Sequence, residues 1–109
     1  MFEIGSVEKM RIDASGLVGI GTAAPDGTLH VHNGSAGTVT AATSADDLVV
    51  ENLASGGMTI LVPDASDGNV IFGGPSSNAK AYMQHAGATG IFTVGTLVAG
   101  STVNLIADA

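Results

Sequence analysis

The sequence contains no cysteine and no tryptophan, and aromatic residues make up only 4% of its 109 residues. The lack of cysteine excludes disulfide bridges and thiolate-bound zinc. Large aromatic side chains contribute much of the apolar area of a core, and a short chain buries a smaller share of its surface than a long one. Sixteen glycines further raise the backbone entropy that is lost on folding. The composition therefore favours an oligomer in which several chains share one core.

Positive charge is also scarce, with three lysine and arginine residues against ten acidic residues and a formal net charge of -7. Proteins that bind nucleic acid need a basic face to replace phosphate counterions, and anionic membrane surfaces attract basic segments. The charge balance therefore argues against both classes of partner. The first ten residues, MFEIGSVEKM, lack a basic start followed by an apolar run, so neither a signal peptide nor membrane insertion is predicted.

Short apolar runs separated by turn residues are what the sequence does contain. Turn signals such as Asp26-Gly27, Asn33-Gly34 and Asp67-Gly68 recur along the chain. Between them lie runs rich in valine, isoleucine and threonine, which are MRI, LVGI, LHVH, TVTAA, LVVEN, MTILV, NVIF, AYMQH, IFTV and VNLIA. Runs of this length and composition are typical of strands, so the sequence predicts an all-β fold.

Residues 38–55 contain neither glycine nor proline and leave two alternatives open. Ser44 followed by Asp47 resembles a helix capping box ahead of an apolar run. Alternatively, the run LVV that begins at Leu48 is a strand after a polar turn. A helix here would be short and would have a ragged apolar face, so the strand is favoured.

The stretch GLVGIGTAAPDG, residues 16–27, contains a formal match to the dinucleotide-binding pattern G-x-G-x-x-G/A, from Gly19 to Ala24. That pattern holds a pyrophosphate only where a helix follows the glycine turn. Here Pro25 and then Asp26-Gly27 follow, and the next segment is the strand-like run LHVH. The sequence therefore predicts no nucleotide site.

The same stretch carries a resemblance to a known family. Residues 9–25, KMRIDASGLVGIGTAAP, closely resemble a phrase that recurs in shaft segments of bacteriophage tail fibres, upstream of an intramolecular chaperone domain. The pieces LHV at residues 29–31 and LVVEN at residues 48–52 are similar to the segments that come after that phrase in the family, and residues 57–61 and 69–73 resemble its next two strands. Together these pieces cover most of the chain between residues 9 and 95, and the glycine phrase is the specific part.

The resemblance implies a single fibre-shaft segment over residues 1–109, with repeat junctions near residues 9–25 and 103–109. In the family, three chains form an elongated, intertwined homotrimeric β shaft, similar to a triple β-helix or β-prism. The implied function is a structural, non-enzymatic part of a tail fibre that supports host attachment. The implied location is the virion, outside the cell after synthesis in the host cytoplasm, and the implied partners are other virion tail proteins and a host surface receptor. The alternative is that the segment itself is a receptor-binding (adhesin) module, which recognises a host glycan or protein through loops at residues 73–77 and 86–90.

The glycine phrase then has a structural role, because glycine permits sharp corners and close backbone approach. Small apolar residues suit the interior of such a shaft, and we assign Val18, Ile20, Val70 and Ile71 to it. The residues predicted to form the structural glycine turn are Gly16, Gly19, Gly21 and Pro25. Leu17 stands where the family frequently has asparagine, and no chaperone domain is present in the sequence.

The surroundings of the phrase carry three further expectations. Asp13 is expected to form a turn by accepting backbone N–H groups with its carboxylate. Arg11 is expected to pair with a carboxylate of a neighbouring chain. Asp108-Ala109 aligns with Asp13-Ala14, which indicates either the start of a second phrase or the end left by chaperone release.

His30 and His32 are the candidate metal ligands. Residues i and i+2 of a strand face the same side, so three such pairs around a trimer axis would present six imidazole nitrogens to an octahedral transition metal. The alternative is that both histidines face solvent, or that Val31 faces the core instead. No other cofactor is predicted.

Catalysis is not predicted. A glycosidase needs a pair of carboxylates, and the candidates here are Asp46, Asp47 and Glu51. Adjacent residues of a strand point to opposite faces, so neighbouring aspartates do not form such a pair. Serine, histidine and aspartate residues occur without any nucleophile motif. The sequence therefore predicts a protein that is not an enzyme and has no catalytic residues.

Overall fold

The computed structural model describes residues 1–106, and in that range the chain forms eight strands and no helix. The all-β prediction is therefore confirmed. The strands are β1 (Phe2–Ile4), β2 (Val7–Ile12), β3 (Val18–Ile20), β4 (Leu29–His32), β5 (Leu48–Glu51), β6 (Gly68–Gly74), β7 (Ser77–Ala86) and β8 (Ile91–Thr96). Asp108 and Ala109 lie outside the described residues, so the alignment predicted for them stays a prediction.

The chain divides into two compact units, Met1–Met58 and Thr59–Ala109, each built on its own sheet. The sheet of the first unit has the order β1-β2-β3-β4-β5. Strands β1, β2 and β3 pair antiparallel, whereas β3, β4 and β5 pair parallel and in register. Parallel neighbours need a crossover connection, usually a helix, but here loops at residues 21–28 and 33–47 make both connections.

The parallel ladder explains why residues 48–51 form a strand. Leu48 lies opposite Leu29, and Val50 lies opposite Val31. Valine loses side-chain freedom in a helix and packs well on a pleated surface, so cross-strand pairing overrides the weak capping signal at Ser44. The prediction of a strand in this segment is confirmed.

The sheet of the second unit is an antiparallel meander with the order β6-β7-β8. A tight turn joins β6 to β7, with Gly74 opposite Ser77. A second turn joins β7 to β8, where Gly90 has φ +69° and donates its N–H to the carbonyl of Ala86 at 2.8 Å. The runs NVIF, AYMQH and IFTV are therefore strands, as the sequence predicts.

Three runs that the sequence predicts as strands are not strands in the single chain. They are TVTAA at residues 38–42, MTILV at residues 58–62 and the described part of VNLIA at residues 103–106. Composition favours extended backbone in all three, but a strand also needs a hydrogen-bonded neighbour, and the described chain provides none for them.

The described residues bury no apolar side chain, and the only buried polar one belongs to His30. The chain exposes 8178 Å². Even two separate compact globules that shared its mass equally would expose only about 6,600 Å² by the relation between area and mass of folded monomers. The composition predicts a poor core, and the large exposed surface of the chain agrees with that prediction.

Candidate functional site

The glycine phrase begins with a turn held by Asp13. Its Oδ1 accepts the backbone N–H groups of Ser15 at 2.8 Å and Leu17 at 2.9 Å. Gly16 has φ +84° and donates its N–H to the Asp13 carbonyl at 3.1 Å. Because only the backbone of Leu17 takes part, leucine at that position leaves the turn intact. Asp13 forms the turn as expected.

Gly19 and Gly21 lie where β3 passes close to other backbone. A Cβ on Gly19 would stand 2.5 Å from the carbonyl oxygen of Thr22. Gly21 has φ +80°, and a Cβ there would collide with the carbonyl oxygen of His32. Pro25 is half-buried in the loop that follows, which contains no helix. The phrase thus forms a corner and a close backbone crossing.

Gly27 has the same role, although the sequence marks it only as part of a turn signal. A Cβ on Gly27 would collide with the carbonyl oxygen of Asp46. The neighbouring Thr28 N–H donates to that same carbonyl at 2.8 Å. The loop at residues 21–28 is therefore packed directly against the loop at residues 33–47, and no local sequence signal predicts this contact.

Arg11 pairs with a carboxylate of its own chain, and its expected pairing with a neighbouring chain stays a prediction. Its Nε and Nη2 donate to the two carboxylate oxygens of Glu8 at 2.5 and 2.6 Å, and its Nη1 donates to the carbonyl of Ala23 at 2.9 Å. The hydrogen bond from Arg11 lowers the pKa of Glu8 below its ordinary value. A partly exposed pair of this kind contributes little stability, but it fixes the glycine loop to β2.

One face of the first sheet is entirely aliphatic across four strands. Because residues directly opposite each other share a face, the pairing register defines two parallel rows on this side. We call them the aliphatic face, and they are Ile12–Val18–Leu29–Leu48 and Met10–Ile20–Val31–Val50. Ile12 is 65% exposed and Leu48 is 50% exposed. Of these eight residues the sequence singled out only Val18 and Ile20 as interior.

The opposite, polar face of the same sheet carries the histidines. Arg11, Gly19, His30 and Val49 form one row there, and His32 lies opposite Glu51 in the next. His30 and His32 lie on one side of β4, with ring centroids 5.6 Å apart. Glu51 is the partner that sequence reasoning missed. The sequence would have predicted this partner only from the alignment of LHVH with LVVE, which places Glu51 beside His32. That alignment can be made only when the pairing of β4 with β5 is known.

His30 is held by the loop above it and is only 3% exposed. Its Nδ1 accepts the backbone N–H of Asp26 at 3.1 Å, so the proton of the neutral ring resides on Nε2. That atom lies 3.1 Å from Glu51 Oε2, but no aligned hydrogen bond forms. Nε2 of His32 is 3.7 Å from the same oxygen.

Two carboxylates hold the long loop at residues 33–47 over this polar face. Glu51 Oε1 accepts the N–H of Ala36 at 2.7 Å, and Asp26 Oδ2 accepts the N–H of Ala41. The hydrogen bond from Ala36 lowers the pKa of Glu51 below its ordinary value, and the nearby His32 and His30 lower it further. The cluster therefore anchors a loop.

A metal bound to His30 through Nε2 would need the ring proton to move to Nδ1, where the Asp26 N–H already points. Among residues 1–106 no group of three or more histidine, cysteine, aspartate or glutamate side chains is arranged to hold a metal ion. An axial metal shared by several chains stays a prediction, and elemental analysis of purified protein would test it. About one transition metal per three chains is the expected stoichiometry of such a site.

Acidification is expected to remove the contribution of Glu51 to stability. Because folding lowers its pKa, that contribution is fully present above the unfolded-state pKa and is lost as the pH falls through the folded-state pKa. Melting temperatures of the wild type and Glu51→Gln should differ most near neutral pH and converge in acid. A difference that stays constant with pH would contradict an ionised loop anchor.

The second sheet also has one largely apolar face. Val70, Met83 and Val94 form its central row, with Phe72 and Phe92 in the rows on either side. Phe92 is 66% exposed and Phe72 is 55% exposed. Ile71 pairs with Tyr82 across the strands and lies on the other face of this sheet. Adjacent residues of a strand alternate between its two faces, so Val70 and Ile71 cannot both face one interior. The expectation that both lie inside the shaft is therefore wrong for one of them.

Comparison with known proteins gives no match to a family model, to a curated protein or to a solved structure. Residues 1–106 also contain no helix of the length and apolarity needed to cross a membrane.

Proposed function

We propose that this chain is a structural segment of a bacteriophage tail fibre, in which three identical copies pack through their aliphatic faces into a β-prism-like shaft. The observation that carries the proposal is the uncovered aliphatic face of the first sheet. The resemblance of residues 9–25 to the shaft phrase supports the same function, and the corner at Gly16, Gly19 and Gly21 gives that phrase a structural reason.

The energetics favour covering this face. Soluble monomers rarely expose contiguous apolar patches larger than a few hundred Å², and here eight aliphatic side chains lie together on one sheet. Burying the exposed part of each contributes on the order of 1 kcal/mol by the usual area relation. Three sheets that turn their aliphatic faces to a common axis would create the core that the single chain lacks.

The proposed role is mechanical. A stiff shaft on the virion, outside the cell, would hold a receptor-binding surface away from the particle and would contact other tail proteins. The chain is then a partner of its own copies, made in the host cytoplasm, and has no enzymatic step.

The position of the histidines separates two of the expectations. His30 and His32 project from the polar face, opposite to the aliphatic face. If the aliphatic faces pack around the axis, both imidazoles point away from it. The axial metal and the aliphatic core are therefore mutually exclusive arrangements, and the exposed aliphatic rows favour the second.

The receptor-binding alternative has less support from the geometry. The loop at residues 73–77 is a tight turn with Gly74 opposite Ser77, and the loop at residues 86–90 closes on the carbonyl of Ala86. Such short turns present little side-chain surface to a receptor. Binding of the isolated segment to host cells would favour this alternative.

The mass in solution tests the proposal directly. We expect a particle of about three times the chain mass of 10.7 kDa, measured by analytical ultracentrifugation or light scattering. Dilution should dissociate and unfold the chains together, because the core is shared. A monomer that remains folded on dilution would contradict the proposal.

A further inference from the structure

The free edge of β5 borders an open cleft. β5 is the last strand of its sheet and pairs with β4 on one side only. Residues 49–52, at this strand and its end, help to line a cleft of about 460 Å³. The other lining residues are Asp26 and members of the segments 36–41 and 56–58. An unpaired strand edge beside an open cleft is the geometry that accepts an additional strand.

The ladder that ends at β5 repeats one pattern. The triplets Val18-Gly19-Ile20, Leu29-His30-Val31 and Leu48-Val49-Val50 stack in register. In each triplet the first and third residues are aliphatic and lie on the aliphatic face, whereas the middle residue lies on the polar face. A fourth triplet with the same pattern would extend both aliphatic rows by one residue.

Two described runs have the alternation that a fourth triplet needs. In the first, residues 58–62, Met58 already lines the wall of the cleft, and Ile60 and Val62 lie beside the position of Gly68. The second is Val103-Asn104-Leu105, followed by Ile106. Leu105 is 92% exposed and Ile106 is 85% exposed, and residues 103–106 take part in no strand.

Charge is compatible with the second run, as it is with the first, because neither run carries a charge. The cleft contains the carboxylates of Asp26 and Glu51, and the segment STVNLI at residues 101–106 carries no charge. It can therefore enter without placing a like charge near those carboxylates.

We propose that residues 103–106 of one copy add as a parallel strand to the free edge of β5 of a neighbouring copy, with Val103 opposite Leu48 and Leu105 opposite Val50. This inference rests on the proposed function, because it needs an assembly of identical chains. The added strand satisfies the backbone groups along the β5 edge and extends both aliphatic rows, so that the highly exposed Leu105 gains an apolar neighbour. Each chain thus donates a strand to the next.

Cysteine cross-linking tests this pairing in the full chain, which has no native cysteine to interfere. In the double variant Val50→Cys/Leu105→Cys the two Cα atoms would lie within the range that a disulfide spans, about 4.4–6.8 Å. We expect covalent oligomers on non-reducing gels after mild oxidation. The matched control is Val50→Cys/Asn104→Cys, in which the second cysteine points to the other face and should cross-link much less.

Each outcome decides between the alternatives. Cross-links between chains support the proposal. An intrachain disulfide, or equal cross-linking in the control, overturns it. A trimer by mass without cross-links would refute the donated strand but leave the proposed function standing, whereas a folded monomer would remove both.

Hydrogen exchange of the unmodified protein provides a second test that needs no substitution. Residues 103–106 form no strand in the single chain, so without a partner their amides should exchange at nearly the unprotected rate. Because the added strand has a neighbour on one side only, the proposal predicts strong protection in the assembly of alternate amides of this segment, those whose N–H groups point to β5. Unprotected exchange in a confirmed trimer would overturn it.

Discussion

Replacing Gly21 with valine is expected to destroy both the fold of the first unit and its assembly. The native φ of +80° is strained for a β-branched residue, and the new Cβ would collide with the backbone carbonyl of His32. Backbone strain and overpacking each cost about 1–3 kcal/mol, and a trimer would meet both in every chain. We expect a much lower melting temperature, with monomers and aggregates in place of the assembled protein.

A graded series of alanine variants separates the two causes. Gly57 has ordinary φ and nothing within 4 Å of the added Cβ, so Gly57→Ala should leave melting nearly unchanged. Gly16 has φ +84° and also nothing within 4 Å, so Gly16→Ala should cost only the left-handed strain, about 1 kcal/mol. Gly21→Ala should cost clearly more than Gly16→Ala. Equal melting of the Gly16 and Gly21 variants would show that the close approach to His32 is unimportant.

The contrast between the two glycines shows what the sequence could predict. The turn at Gly16 is local, because all its hydrogen bonds join residues 13–17. The crossing at Gly21 involves His32, which lies across the sheet on β4. Gly21 approaches His32 because β3 and β4 pair in a particular register, and that register depends on how the loops fold. A motif within residues 16–27 cannot specify this register.

The same limit applies to the aliphatic face and to the histidine cluster. Strand propensity at Leu29, Val31, Leu48 and Val50 is readable from composition. Their alignment into two rows, and the position of Glu51 opposite His32, follow from a parallel ladder between segments that are far apart in sequence. Conversely, residues 58–62 have strand composition without a strand, because pairing is a property of two segments and not of one.

A charge placed on the aliphatic face is expected to prevent assembly and, because the core is shared, the folding that depends on assembly. Ile12 is 65% exposed on that face, so an aspartate there meets water in a monomer. In the proposed trimer the same carboxylate would be buried without a partner, three times around one axis. An unpaired buried charge costs several kcal/mol, so Ile12→Asp should shift the mass in solution from three chains towards one.

The matched control is Leu97→Asp. Leu97 is 62% exposed, nearly the same as Ile12, but it follows β8 and lies with Tyr82 and Gln84 beside a shallow cleft of the second unit. If exposure alone mattered, both variants would behave alike. We expect Leu97→Asp to keep the mass and melting temperature of the wild type, whereas Ile12→Asp loses the assembly. Retention of the trimer in Ile12→Asp would show that the aliphatic face does not surround the axis, and the axial position would then be open to His30 and His32.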